Sequence, residues 1–351
     1  LVSLYNASSV LATVEGNPDY YYVMRQGTGV LLGLFVMVCC ALLPYSFWAR
    51  LSWPLVLISI GSLVLLILPW TESIAPSING SRRWLRIGIN LQPSEFAKIA
   101  IVIWTAGMAV KKASQFRSLR RGLAPFLVVW GLLVLPIAME PDFSTAVLIG
   151  SLGLIVVFSA GARISHFVFL GLLLAPAFYW QLFRVGFRVE RVLAWADPAS
   201  DPAGAGYQAY QSLLAIGSGG LTGVGIGQGL QRFGFLPEAH NDFIFSMIGE
   251  QWGLIGVLVL LMMYVALVLV GFRIASRAPD LFGELLALGF TSLIALQALL
   301  HMAVGLSLLP TTGLALPLVS YGRSNLIVTL VSLGILISVA RAAPAIKVAR
   351  G

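Results

Sequence analysis

The sequence predicts an all-α fold: a polytopic integral membrane protein of about ten transmembrane helices with long extracytoplasmic loops. Of the 351 residues, 58% are hydrophobic and 10% are charged, where a soluble domain carries roughly 25% charged residues. The mean hydropathy is +0.92. A soluble fold of this size has no means of covering so much apolar surface. The apolar residues also fall in runs, and about 20 mostly apolar residues cross a bilayer as a helix.

Taken in order, the opening LVSLYNASSV reads as the end of a first helix whose start is missing, finishing near Ser9, and no cleavable signal segment is visible. Whole helices are expected near 27–47, 52–70, 94–110, 123–139, 143–160 and 165–181. Three more are expected near 242–271, 284–308 and 324–342, which makes ten spans with the first. No internal repeat or low-complexity tail is present, so residues 1–351 read as a single integral membrane domain. Cys39 and Cys40 are adjacent in an apolar run and suit neither a disulfide framework nor a zinc site. They read as packing residues.

Basic residues set the orientation. The cluster Lys111, Lys112, Arg117, Arg120 and Arg121 is the densest and contains no acid, so its loop is expected in the cytoplasm. Alternating from it, Arg50, Arg163, Arg273, Arg277, Arg341, Lys347 and Arg350 fall on the same side, and both termini are cytoplasmic. The net charge of +8 therefore reads as orientation and not as a nucleic-acid surface. The outer loops, 71–93 and about 182–241, are longer than turns between helices need to be. The second holds GSGGLTGVGIGQG at 217–229, whose glycines permit close backbone approach. It lacks the GK[ST] ending and preceding strand of a nucleotide loop.

Charge at membrane depth is costly, so each ionisable group there invites a functional reading. Glu95 and Lys98 lie at i and i+3 in PSEFAK, on one helical face, as a structural ion pair or as the wall of a polar cavity. Asp242, in LPEAHNDFIFSMIGE, is a candidate general base where a loop meets a span; its alternative, shared with Asn241, is a helix N-cap. Glu238 and His240 sit beside it, the histidine as an interfacial residue or a proton shuttle. Glu140 and Asp142 suit a helix cap or a cation, and Glu250 needs a partner or a proton. Arg82, Arg83 and Arg86 beside Trp84 suit phosphate binding or interfacial anchoring, and Arg188 and Arg191 have the spacing of an amphipathic interfacial helix. The Pro- and Gly-containing stretch 309–325 reads as irregular backbone lining a cavity or lying at the interface.

Five segments together resemble one family, the shape, elongation, division and sporulation polymerases. They are GSRRWLRIG…QPSEFAK (80–98), EPDFST (140–145), GYQAYQSLLAIGSGGLTGVGIGQG (206–229), LPEAHNDFIFSMIGEQWG (236–253) and TTGLALPLVSYGRSN (311–325), in the family's order. The resemblance implies a glycosyltransferase that joins lipid II into peptidoglycan at the outer face of the bacterial cytoplasmic membrane. It implies a class B penicillin-binding protein, a transpeptidase, as partner. It carries the family's essential aspartate onto Asp242 and its Glu–Lys pair onto Glu95 and Lys98. The chain departs from the family pattern at Glu140 (for Gln), at Phe143-Ser144 (for Leu-Gly), at Asn241 (for Thr) and at Arg323 (for Gly). The short stretch after the last span tilts the reading from the division branch, FtsW, towards the elongation branch, RodA.

The expected chemistry follows. Asp242 takes the proton of the acceptor's GlcNAc 4-hydroxyl, and that oxygen attacks the donor's anomeric carbon with inversion. Arg82, Arg83, Lys98 or a bound Mg²⁺ or Mn²⁺ is expected to stabilise the departing undecaprenyl pyrophosphate, and Arg323 adds a cation on the same side. Ten spans with cavity charges also suit a flippase or transporter of a lipid-linked precursor. Against that stand acids crowded at the outer face and the lack of an inverted repeat. A scaffold would leave the Glu–Lys pair unexplained.

Overall fold

A computed structural model describes residues 1–77, 81–87, 89–116, 118–140, 142–183 and 186–343. Among the residues singled out above, Gly80, Gly88, Arg117, Pro141, Lys347, Arg350 and the side chain of Arg188 lie outside the described set.

Twelve helices run through the described residues: α1 (Val2–Val14), α2 (Tyr21–Leu42), α3 (Phe47–Ile67), α4 (Pro93–Lys112), α5 (Ala124–Met139), α6 (Phe143–Ser159), α7 (Ile164–Phe183), α8 (Gly186–Ala196), α9 (Tyr207–Gly219), α10 (Ile244–Ala275), α11 (Leu281–Gly305) and α12 (Arg323–Ala342). Seven helical stretches are long and apolar enough to cross a membrane, and α1, α6 and the first part of α7 are shorter apolar helices. The fold is thus polytopic and all-α, with each of the ten expected spans falling on a helix.

Local chemistry sets the boundaries. Pro93 opens α4 at its first position, where a missing N–H costs nothing. The Asp142 side chain caps α6 by accepting from the Thr145 N–H at 3.4 Å. Asp280 caps α11 by accepting from the Gly283 N–H at 2.7 Å. The first helix runs on to Val14 instead of stopping near Ser9, and α2 starts at Tyr21, six residues before its apolar run. Hydropathy marks the lipid-facing part of a helix, whereas the backbone continues for as long as its hydrogen bonds do.

The two long loops carry secondary structure of their own. Within 71–93 lies a short hairpin, β1 (Leu85–Ile87) paired antiparallel with β2 (Ile89–Leu91), with Leu85 opposite Leu91. Within 182–241 lie α8, which includes Arg188 and Arg191, and α9.

The chain folds as two compact units. The first comprises Leu1–Leu31, Phe167–Ala266 and Ala295–Leu326; the second comprises Leu32–His166, Leu267–Ile294 and Ile327–Gly351. In the second unit α4 is buried almost all round, including Ile99 to Ala106. Lipid is as apolar as these side chains, so packing rests on close fit and on hydrogen bonds between helices. A Cβ on Gly153 would overlap the Trp130 indole, and one on Gly289 would overlap Val102. The Trp130 indole N–H donates to Thr105 Oγ1 at 2.9 Å, and Trp53, Trp104, Phe126 and Trp130 form an edge-to-face chain.

Candidate active site

In the first unit the site is a strapped turn. Phe243 O accepts the first helical bond of α10, from Met247 N, so the cap position is Phe243 and not Asn241 or Asp242. Asp242 stands one residue earlier, half-buried. Glu238 adopts left-handed backbone (φ 54°), and its carbonyl accepts from the Asn241 and Asp242 N–H groups at 3.0 and 2.9 Å. Two further carbonyls are held by the 309–325 stretch: His240 O accepts from Tyr321 N at 3.0 Å and Asn241 O from Ser320 Oγ at 2.7 Å. The backbone is therefore fixed at each of the two residues before the aspartate and at its own N–H.

The strap is held in turn. Ser320 Oγ accepts from Leu316 N at 2.8 Å. The Gln26 amide, from α2, donates to Ser320 O at 3.1 Å and accepts from Gly322 N at 3.2 Å. From α11, Gln297 donates to Ala315 O and His301 Nδ1 contacts Leu314 O at 2.7 Å, while the Tyr264 hydroxyl of α10 donates to Pro317 O. Leu318 sits at φ 66°, a left-handed conformation that costs a bulky residue energy and persists because its surroundings hold it.

His240 is buried between the rings of Tyr22 and Tyr321, with centroids at 5.0 and 5.5 Å. Burial pushes its pKa down, opposed by the nearby Glu238 and Glu15, so the ring is neutral at physiological pH. Burial raises the Tyr321 hydroxyl, and Arg25 and Arg323 oppose that rise. Both guanidiniums thus act on Tyr321 of the strap, and neither makes an ion pair among the described residues. Glu238 lies on the same turn, two residues before His240.

The glycine-rich segment of this unit packs backbone to backbone on α10. That helix breaks at Gly253 (φ 64°, ψ −163°). The carbonyls of Glu250 and Gln251 there accept from Val224 N and Gly225 N at 3.0 and 3.2 Å, and Leu254 N and Ile255 N donate to Gly220 O and Leu221 O. A Cβ on Gly219, Gly223 or Gly253 would overlap that backbone. Glu250, buried within α10, accepts from Leu230 N at 2.7 Å and Gln231 N at 3.3 Å. Its partner is the loop itself.

In the second unit Lys98 Nζ lies 2.7 Å from Glu95 Oε1, with both side chains buried. Arg82 donates its guanidinium to Glu72 and, at 3.2 Å, to Leu68 O. Arg83 lies close enough to Glu140 to lower its pKa against the larger effects of burial and Asp142, and the net result is a carboxyl pushed up to about 8. Among the described residues no three His, Cys, Asp or Glu side chains gather to hold a metal.

The sequence reading singles out Asp242, Glu238 and His240, which lie on one turn of the first unit, Arg323, which begins α12, and Glu95 with Lys98, which the second unit pairs. It missed Gln26, Arg25, Ser320, Gln297 and His301. Gln297 and His301 were detectable, as polar residues at i and i+4 in an apolar run.

The model of the cell cycle protein family of FtsW, RodA and SpoVE matches residues 1–344. A probable peptidoglycan glycosyltransferase FtsW of Geobacter metallireducens is 41% identical over 340 residues, covering 97% of this chain and 90% of that one. The stage V sporulation protein E of Bacillus subtilis is 37% identical over 346 residues, covering 97% and 93%. Among solved structures, a chain from a peptidoglycan synthase complex that coordinates polymerization and crosslinking aligns with a TM-score of 0.78 at 29% identity, covering 97% of this chain and 95% of that one. The rod shape determining protein RodA of Thermus thermophilus aligns with a TM-score of 0.69 at 27% identity, covering 98% and 93%. The five motifs, the helical fold and these matches agree: the chain belongs to the FtsW, RodA and SpoVE family of shape, elongation, division and sporulation proteins.

Proposed function

We propose that the protein is a peptidoglycan glycosyltransferase that polymerises lipid II at the outer face of the cytoplasmic membrane, with Asp242 as general base. The observation that carries the reading is the strapped turn, in which three successive backbone positions are tied so that one carboxylate is held at the mouth of α10. A base acts only from a fixed position near the proton it takes.

The Asp242 carboxylate accepts the proton of the acceptor's GlcNAc 4-hydroxyl. The oxygen forms a bond to the donor's anomeric carbon from the face opposite the pyrophosphate. The bond from that carbon to the pyrophosphate oxygen breaks, and undecaprenyl pyrophosphate leaves with the electron pair. The product is a β-1,4 link. No carboxylic acid is needed for so good a leaving group, unlike in glycosidases. Developing charge on the phosphates is met by cations, for which Arg323 and Arg25 of the first unit are the candidates. Glu95 holds Lys98 in place.

The relatives at 37–41% identity carry division and sporulation names, against 27% for RodA of T. thermophilus. That ordering favours a division or sporulation role over elongation. A class B penicillin-binding protein is the proposed partner.

The test is glycan polymerisation from purified lipid II by the detergent-solubilised protein, with and without its cognate transpeptidase. Wild type makes polymer, and Asp242→Asn lowers the rate by about 10²–10⁴-fold with an unchanged melting curve. A folded Asp242→Asn protein of near-normal activity removes the base assignment. No polymer from wild type with partner present favours lipid translocation, which a flipping assay in proteoliposomes then reads. Rescue of a division-polymerase depletion, and not of an elongation-polymerase depletion, places the branch.

A further inference from the structure

The second unit carries a cavity of about 370 Å³ that the proposed reaction does not use. It lies where the first turns of α3 meet the last turns of α4, and its walls include Arg50, Trp53, Trp104, Gly107, Met108 and Lys111. The volume lies within the range of small-molecule sites, about 300–1,000 Å³.

Its chemistry is graded. At the helix ends stand two cations, Arg50 and Lys111, both exposed, with Lys112, Arg120 and Arg121 close by in sequence. Among the described residues neither Arg50 nor Lys111 has an acidic partner within ion-pair distance. Deeper, the walls become aromatic: Trp53 packs edge-on against Trp104 with centroids at 5.4 Å. Trp104 is 1% exposed, and its indole N–H has no hydrogen-bond partner among the described residues. From Trp53, 44% exposed, an apolar track of Leu57 and Ile58, 62% and 69% exposed, continues along α3. In a membrane helix such residues face acyl chains.

Cations at headgroup depth, aromatic walls beneath them and an apolar track leading into the bilayer match the parts of one molecule. We propose that this cavity binds a single anionic phospholipid of the surrounding leaflet, with its phosphodiester between Arg50 and Lys111 and one acyl chain along Trp53, Leu57 and Ile58. Basic pockets between spans on the cytoplasmic side select anionic headgroups in this way. The guanidinium supplies a planar fork for phosphate oxygens and the ammonium a point charge. A zwitterionic lipid brings its own cation and gains less.

The test uses the full chain, delipidated in detergent and titrated with phosphatidylglycerol or phosphatidylcholine, with bound lipid counted by native mass spectrometry. One phosphatidylglycerol is expected to remain bound where phosphatidylcholine is lost. Arg50→Ala combined with Lys111→Ala weakens retention at least tenfold, while Arg50→Lys combined with Lys111→Arg keeps it. Gly107→Leu fills the cavity with both cations in place. Its Cβ would make ordinary contact with Phe282 at 3.7 Å, and an unchanged melting curve checks that the longer side chain is accommodated. It is expected to lose the lipid as well. Equal retention of both lipids, an unaffected double variant, or binding that survives Gly107→Leu would overturn the proposal. So would displacement by millimolar inorganic phosphate, which would mark a site for free phosphate.

Discussion

At the scale of single residues, position decides what a carboxyl group can do. Glu140 is buried, and burial, with help from Asp142 and against Arg83, lifts its pKa from 4.5 to about 8. The raised value means the folded protein holds a proton that the unfolded chain has released. Stability therefore falls as pH rises from about 4.5 to about 8 and levels off beyond. Glu140→Gln removes that slope. The variant is expected to melt with wild type near pH 5 and several degrees above it at pH 8.5, in thermal unfolding followed across that range; parallel curves would refute the proton. Asp242 was legible because a charge at the edge of an apolar run has few innocent explanations. Its tethers were not: Ser320 and Gln26 are ordinary polar residues, far apart in sequence, whose meaning arises only when the fold brings a carbonyl or an amide opposite them.

At the scale of elements, α10 and the glycine-rich segment form one structure. Glu250 ends the segment by accepting two backbone N–H groups from inside the helix. Glu250→Ala strands the buried Gln231 N–H and releases the part-buried Leu230 N–H, at a cost of about 1–3 kcal/mol. Hydrogen exchange at Leu230 and Gln231 should accelerate by more than tenfold, with polymerisation falling in step. Unchanged exchange would show that the loop is held by something else. The glycines at 217–229 announced close backbone contact by their density, because nothing with a side chain fits there. The break at Gly253 gave no such notice: one glycine inside a long apolar run reads as continuous helix, and only the diverted carbonyls of Glu250 and Gln251 reveal it.

At the scale of the whole molecule, hydropathy led to a helix at each of the ten expected spans, seven of them long and apolar enough to cross a bilayer. It could not resolve α8, α9 or the 85–91 hairpin, which are set by local hydrogen bonding and not by the need to meet lipid. The basic clusters add orientation. With Cys39 and Cys40 replaced by serine, a cysteine at the exposed Ser200 should label with an impermeant maleimide in spheroplasts, whereas one at the exposed Ser114 should label only after lysis. The opposite pattern inverts the topology and removes the site from the outer face. The broken helix also bears on how the chain is made. The glycine-rich segment leaves the ribosome before the carbonyls of Glu250 and Gln251 that will receive its N–H groups. Until α10 emerges, water must serve those donors, so the segment has to wait outside the hydrocarbon for its partner. A nascent chain arrested with α10 still inside the ribosome should therefore be cut by protease within 217–229, and one arrested after α10 has emerged should be protected. In this protein a loop segment is completed only by the arrival of a membrane helix.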